Sequence, residues 1–86
     1  MYIIEIALKF TPVPLSVQRK ELEDAEKVYT QVLDAIKSAK PNILELTCEH
    51  QPSKKIAMIT SEVASIQVYE KSGSAMTNKR PGFFAG

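Results

Sequence analysis

The sequence predicts a small single α+β domain with a mostly antiparallel five-stranded sheet, flat or curled, and one amphipathic helix on one face of it. Three observations support this prediction. Apolar and polar residues alternate near both ends of the chain, an apolar stripe of helical period occupies the middle, and 86 residues are enough for one core. The predicted order is β-β-α-β-β-β within residues 1–71, and residues 72–86 are predicted to form a flexible C-terminal tail.

The first strand is predicted over residues 2–10, where apolar side chains occupy every second position. Its inner face is entirely apolar and consists of Tyr2, Ile4, Ile6, Leu8 and Phe10. Pro12 and Pro14 lack the backbone donor that a sheet needs, so the chain must turn there. A short return strand is expected over residues 15–20, because alternation resumes in that segment.

A helix is predicted from about Glu21, where the period of the apolar residues becomes helical. Its apolar stripe consists of Leu22, Ala25, Val28, Tyr29, Val32, Leu33 and Ile36. Acidic residues crowd the first turns and basic residues the last, which suits the helix dipole. Pro41 disfavours a helical Lys40 and sets the end of the helix.

Three more strands are predicted over residues 42–49, 55–60 and 63–71, because alternation returns in each segment. One helix is about 10 Å wide and neighbouring strands lie about 4.8 Å apart, so one helix covers about two strands. Alternation places Ile3, Ala57, Ile59 and Val63 on or near the face away from the helix. Either the sheet curls into a half-barrel around a shared core, or a second copy packs against this face to form a homodimer.

Composition argues against an enzyme. The chain has one cysteine, one histidine and three glycines, and it lacks Gly-rich phosphate loops, dinucleotide fingerprints, multi-cysteine zinc sites and hydrolase signatures. We therefore expect no catalytic, cofactor-binding or metal-binding residues. The net charge of +1 gives no footprint for a polyanion or an anionic membrane. No apolar run approaches the roughly twenty residues of a membrane span, and the N-terminus lacks a signal peptide's basic region, so we expect a soluble cytoplasmic protein.

Two clusters admit a chemical interpretation beside a structural one. Cys48 and His50 lie two residues apart on a predicted strand and could form a nucleophile pair. However, Cys48 continues the apolar face of Leu44 and Leu46, so the thiol is expected in the core and the imidazole in water at the turn. A cation could bind among the helix's first acidic side chains, although a solvated first turn also accounts for them. These side chains are Glu21, Glu23, Asp24 and Glu26.

Four stretches of the chain are distinctive: MYIIEIALKF, PLSVQRK, PNILELTCEHQPSKKIAMITSEVASIQVYEKSG and TNKRPGF. Together they resemble a family of short, uncharacterised cyanobacterial proteins of unassigned function. The stretches are spread over residues 1–83, so the resemblance extends over nearly the whole chain. The resemblance implies a soluble protein in the cytoplasm of a photosynthetic prokaryote, and it brings no cofactor or catalytic residue with it.

The leading functional hypothesis is a non-enzymatic protein–protein interaction module that self-associates and docks onto a larger assembly through a sheet edge or its tail. In the tail, two cations precede two aromatic residues, and these four are the candidate partner-binding residues. They are Lys79, Arg80, Phe83 and Phe84. The alternative is a small RNA-binding protein, because a fold could gather the basic dipeptides at residues 19–20, 54–55 and 79–80 on one side. The near-neutral net charge counts against that alternative.

Overall fold

The computed structural model describes residues 1–38 and 40–71, and these contain one helix and five strands in the predicted order. The predicted α+β fold class is confirmed. The elements are β1 (Tyr2–Leu8), β2 (Leu15–Arg19), α1 (Leu22–Lys37), β3 (Ile43–Thr47), β4 (Lys55–Ile59) and β5 (Val63–Glu70), with a 3-10 turn (Thr60–Glu62) between the last two strands. The predicted tail, residues 72–86, lies outside the described residues.

The strands of the described residues form two antiparallel sheets rather than one continuous sheet. The first has the order β2-β1-β5, and the second is the β3-β4 hairpin. In the first sheet Ile4 lies opposite Val17 on one side and Val68 on the other. In the hairpin Leu44 lies opposite Met58. The inner faces of both sheets are therefore apolar, as the alternation predicted.

The inward side chains of both sheets and the helix form one core. Ile4, Ile6, Val17 and Val32 are fully buried, and the cluster also contains Leu44, Leu46, Cys48 and Met58 from the hairpin region. Two sheets that close on a single core correspond to the curled arrangement, which was one of the two alternatives. Association with a second copy stays a prediction.

A corner between β2 and the end of β3 joins the two sheets. The Glu49 N–H donates to the Gln18 carbonyl at 3.0 Å, and the Lys20 N–H donates to Glu49 Oε1 at 2.7 Å. Arg19 Nη1 donates to the Thr47 carbonyl at 2.6 Å. The first two of these bonds use backbone groups at Gln18 and Lys20, so they close the C-terminal end of the β2 edge that faces away from β1.

The helix α1 packs on the three-stranded sheet and the 3-10 turn. Ala25, Val28 and Val32 are its buried residues, while Leu22 and Ile36 at the ends of the predicted stripe are exposed. The helix ends at Lys37, before the Pro41 that predicted its stop. No helix among residues 1–38 and 40–71 is long and apolar enough to cross a membrane.

Val63 does not lie on the uncovered face that the sequence predicted for it. Its side chain is 5% exposed and belongs to the core. Two irregularities reverse its orientation: the 3-10 turn precedes it, and a register shift between Ala7 and Leu8 sets Val63 opposite Leu8 on the inner face. Simple alternation cannot anticipate either irregularity.

Phe10 is also placed differently from the prediction, which put it on the inner face of the first strand. β1 ends at Leu8, and the Thr11 N–H donates to the Leu8 carbonyl at 3.3 Å to close a turn. Phe10 has a φ of 58° and a fully exposed side chain. The left-handed region is costly for a bulky residue, so the turn holds Phe10 in a strained conformation.

We expect Phe10→Gly to unfold at the same or a higher urea concentration than the wild type. A residue with a Cβ atom loses about 1–2 kcal/mol of stability in the left-handed region, and glycine removes this cost. Glycine also makes the unfolded chain more flexible, which lowers the stability of the fold by about 0.5–1 kcal/mol, so the two effects oppose each other. Phe10→Ala is the matched control, because it removes the ring and keeps the Cβ atom. A glycine variant that is clearly less stable than the alanine variant would contradict the strain.

Candidate functional site

The outer surface of the hairpin carries two apolar side chains side by side. Ile43 and Ile59 lie opposite each other in the β3-β4 register and are 61% and 49% exposed. Glu45 and Ala57 form the next pair along the same surface and are both exposed. We call these four residues the hairpin face. Ile43 is not among the residues predicted for this surface, although its alternation with buried Leu44 already indicates that it faces outward.

Neither edge of the hairpin has a paired strand beside it among the described residues. At the β3 edge the Thr47 carbonyl accepts from Arg19 and the Ile43 N–H donates to Asn42 Oδ1, whereas the outer edge of β4 makes no such bond in the part of the chain that the structure describes.

The Thr60 N–H donates to the Asn42 carbonyl at 2.8 Å, so residues 42 and 60 are a hydrogen-bonded pair. Hydrogen-bonded and non-hydrogen-bonded pairs alternate along an antiparallel ladder, so this bond shows which β4 residues direct their backbone groups towards β3 and which direct them away. Ile56 and Met58 therefore bond to β3, whereas the N–H and C=O groups of the alternate residues point away from it. These residues are Lys55, Ala57 and Ile59, and we call their outward backbone groups the β4 edge.

The predicted dimer face is brought together only in part. Ala57 and Ile59 lie next to each other on the hairpin face. Ile3 lies on the outer face of the other sheet, half-buried between Gln18 and Tyr69. Since Val63 is in the core, two of the four predicted residues share one solvent-facing surface.

The outer face of the three-stranded sheet carries a polar cluster. Gln67 Nε2 donates to Glu5 Oε1 across the β1-β5 ladder. Burial raises the pKa of Tyr69, and the negative charge of Glu5 and a hydrogen bond to Glu5 raise it further. Tyr69 therefore stays a neutral hydrogen-bond donor beside a carboxylate. The cluster suits a solvated face.

Cys48 lies in the core at 4% exposure, as predicted, and His50 is exposed. The Gln18 N–H donates to Cys48 Sγ at 3.3 Å. Burial acts to raise the pKa of this thiol. The backbone N–H groups of Gln51, Gln18 and His50 act to lower it, as does the charge of Lys54, and the net pKa lies below the ordinary thiol value. The groups that favour the thiolate are thus mainly backbone amides, and the His50 imidazole is not among them.

The corner between the sheets gathers two of the three basic dipeptides. Arg19 and Lys20 end β2, and Arg19 donates to the carbonyl of Thr47, the residue opposite Lys55 in the hairpin register. Lys54 is close enough for its charge to lower the pKa of the nearby Cys48. We call Arg19, Lys20, Lys54 and Lys55 the basic corner. Such a cluster can contact phosphate groups or acidic side chains.

A cleft of about 470 Å³ lies beside the hairpin face. Its described lining residues are Ala35, Ser38, Lys40, Pro41, Asn42, Ile43, Leu44 and Thr60. This lining carries one cation and no carboxylate or imidazole, so it offers shape and apolar contact rather than acid–base chemistry. It shares Ile43 with the hairpin face and extends that surface towards the end of the helix.

The acidic residues at the start of α1 lie where a helix dipole favours them. Glu21 precedes the helix, and Glu23 and Asp24 occupy its first turn. Within residues 1–38 and 40–71, no three His, Cys, Asp or Glu side chains are grouped closely enough to hold a metal ion. The candidate partner-binding residues of the tail lie outside the described residues, so their role stays a prediction. These are Lys79, Arg80, Phe83 and Phe84.

Comparison with known proteins identifies close relatives. A model of the UPF0367 protein family matches residues 3–71. The chain is 61% identical over 83 residues to a UPF0367 protein of Synechococcus elongatus, an alignment that covers 96% of this chain and 94% of that protein. UPF0367 proteins of Trichodesmium erythraeum and Prochlorococcus marinus are 54% and 53% identical over 83 residues, covering 96% of this chain and 94% and 95% of theirs. No solved structure matches. The resemblance to a cyanobacterial family is confirmed.

We expect Glu5→Gln to lower the pKa of Tyr69 without returning it fully to the ordinary value. The substitution removes the negative charge, but burial of the tyrosine remains. NMR titration of the tyrosine ring carbons separates Tyr69 from Tyr2 and Tyr29. Glu45→Gln, on the other sheet, is the control and should leave the titration unchanged. An unaltered Tyr69 pKa in Glu5→Gln would contradict the described contact.

Proposed function

The chain belongs to the UPF0367 protein family, and we propose that it is a non-enzymatic protein–protein interaction module of the cytoplasm. In this proposal it self-associates and docks onto a larger cellular assembly. One observation carries the proposal: the exposed pair Ile43 and Ile59 adjoins the unpaired β4 edge, so apolar surface and free backbone groups lie on one element.

The hairpin face is unusual for a solvated surface. The outer face of an antiparallel sheet normally carries polar side chains, as the polar cluster on the other sheet does here. Ile43 and Ile59 lie in register and in contact with water. Full burial of an exposed isoleucine contributes about 1.5–3 kcal/mol. Because Ile43 and Ile59 are about half exposed, covering each of them stabilises a complex by about half of that before ordering costs. This favours a surface that is covered when the protein works.

The surroundings of Cys48 support a non-enzymatic role. The thiol is buried, and the hydrogen bond to its sulfur comes from the Gln18 backbone. A cysteine nucleophile normally needs both access to substrate and a base within hydrogen-bond reach. Cys48 instead helps to hold the corner between the sheets.

We expect Ile59→Lys to abolish self-association. The wild type should show a mass in light scattering that rises with concentration above the 9.6 kDa of one chain, and Ile59→Lys should stay at that mass. A charge at this exposed position prevents burial of the hairpin face but spares the core, so the far-UV spectrum should stay native.

Ser65→Lys is the matched control, because Ser65 is an exposed, solvent-facing strand residue of the other sheet. It should associate as the wild type does. A wild type that remains at the mass of one chain at every concentration would refute self-association. Equal association of wild type and Ile59→Lys would show that the hairpin face is not the surface involved.

RNA binding is the second candidate, and the basic corner is the observation that favours it. The fold brings Arg19 and Lys20 next to the turn that carries Lys54 and Lys55, although these dipeptides are far apart in the sequence. Four cations and the Glu49 carboxylate meet at this corner, which leaves a local excess of positive charge in a chain whose net charge is only +1. Phosphate groups of a single strand would be the ligands.

If RNA binding is correct, affinity for a labelled single-stranded RNA should fall linearly with salt on logarithmic axes, by a slope of about 0.7 per phosphate contact. The double variant Lys54→Gln/Lys55→Gln should then lower the slope by about 1.4. The control Lys27→Gln/Lys37→Gln removes two cations from the helix and should leave the slope unchanged. Absence of binding by the wild type at physiological ionic strength would exclude this candidate.

A further inference from the structure

We propose that two copies of this chain pair edge to edge through β4 in antiparallel orientation, so that their hairpins form one four-stranded sheet. The inference rests on the self-association in the proposed function and names its interface. It predicts a two-fold axis at Ala57 and hydrogen bonds between the β4 edges of the two copies.

The hydrogen-bond pattern of β4 supports this pairing. Lys55, Ala57 and Ile59 direct their N–H and C=O groups away from β3, and no described residue bonds to those groups. Thr60 and Asn42 fix this alternation through their own bond. An antiparallel partner strand bonds to every second residue, which is the spacing of the free groups here.

One register satisfies all of these groups. With the axis at Ala57, Ala57 faces its own copy, and Lys55 of each copy faces Ile59 of the other. Three N–H groups from each copy then find carbonyl partners in the other. A shift of the axis by one residue leaves an end of the five-residue strand unpaired, and an axis at Lys55 sets two ammonium groups opposite each other.

Side chains and charges fit the same register. Ala57 is small, so the axis is free of crowding. Ile59 of each copy packs against the aliphatic stem of the other copy's Lys55, so the pairing covers Ile59 and leaves Ile43 exposed for a further partner. Ile59→Lys would set two ammonium groups opposite each other in this register. Antiparallel orientation also sets the Lys54–Lys55 end of one strand beside the Glu62 end of the other, and these ends are opposite in charge.

The β5 edge is also without a neighbouring strand among the described residues, and its solvent-facing row consists of Ser65, Gln67 and the 42%-exposed Tyr69, whose ring lies beside Glu5. That edge therefore offers one apolar side chain in a polar row, whereas the hairpin offers Ile43 and Ile59 side by side.

Cysteine cross-linking of the full chain tests the interface. Ala57→Cys should form a disulfide-linked dimer under mild oxidation, because residues at the axis of such a pair lie about 5.5 Å apart between Cα atoms, within disulfide range. Glu45→Cys is the matched control on the same row, one strand further out. In the proposed dimer the Cα atoms of residue 45 in the two chains would lie three strand spacings apart, about 14 Å, which a disulfide cannot bridge. The wild-type protein is the control for cross-linking through the native Cys48, and it should form no disulfide-linked dimer because this thiol is 4% exposed.

Ala57→Pro provides a second test. Proline is tolerated on an edge strand where its missing N–H faces outward, so the far-UV spectrum should stay native. Two N–H donors are lost at the axis, and the dimer should dissociate about tenfold more readily or more. If this variant unfolds, the cross-linking result decides.

The outcomes separate the interface from self-association itself. Selective cross-linking of Ala57→Cys with weakened association of Ala57→Pro supports the edge pairing. Cross-linking of Glu45→Cys as readily as Ala57→Cys, or a native Ala57→Pro dimer of unchanged affinity, overturns the edge pairing while self-association stands. A wild type that is monomeric at every concentration, with no cross-linking of Ala57→Cys, overturns both.

Discussion

The fold depends on how the five strands of residues 1–38 and 40–71 share the one helix found there, which has sixteen residues. A helix is about 10 Å wide and a flat sheet of five strands would be about 20 Å or more across, so one helix cannot cover such a sheet. The protein instead divides the strands into sheets of three and two that close on one core. The bonds of Glu49 with Gln18 and Lys20 hold the corner at which the sheets meet.

This division determines which surface is left for binding. The helix packs on the three-stranded sheet and the 3-10 turn, so the hairpin contributes to the core with one face only. Its other face carries Ile43 and Ile59, and its far edge has no neighbouring strand among the described residues. No helix or strand among the described residues covers the outer face or the β4 edge of the hairpin. Apolar side chains and unpaired backbone groups, which are two features of an interaction site, therefore stay exposed there.

The sequence predicted every strand and the helix because each has a clear local period, and it predicted burial correctly for residues such as Ile4, Leu46 and Cys48. It could not predict the corner, because residues far apart in the sequence form the bond between Glu49 and Gln18. Phe10 and Val63 were placed wrongly for a related reason, which is that the alternation is interrupted near each of them. β1 ends at Leu8, before the turn that Pro12 predicted, and a register shift changes the face of Val63. The residue pattern indicates neither the early end of β1 nor the register shift. Ile59 was placed correctly, whereas its partner Ile43 and the basic corner became apparent from the hairpin register.

Amide hydrogen exchange along β4, measured residue by residue at low and high protein concentration, shows directly whether the two β4 edges pair. The amides of Ile56 and Met58 bond to β3 and should be protected at both concentrations. Those of Lys55, Ala57 and Ile59 should exchange fast in dilute protein and become protected as the protein associates. Fast exchange at these three amides in a sample that light scattering shows to be dimeric would contradict the account.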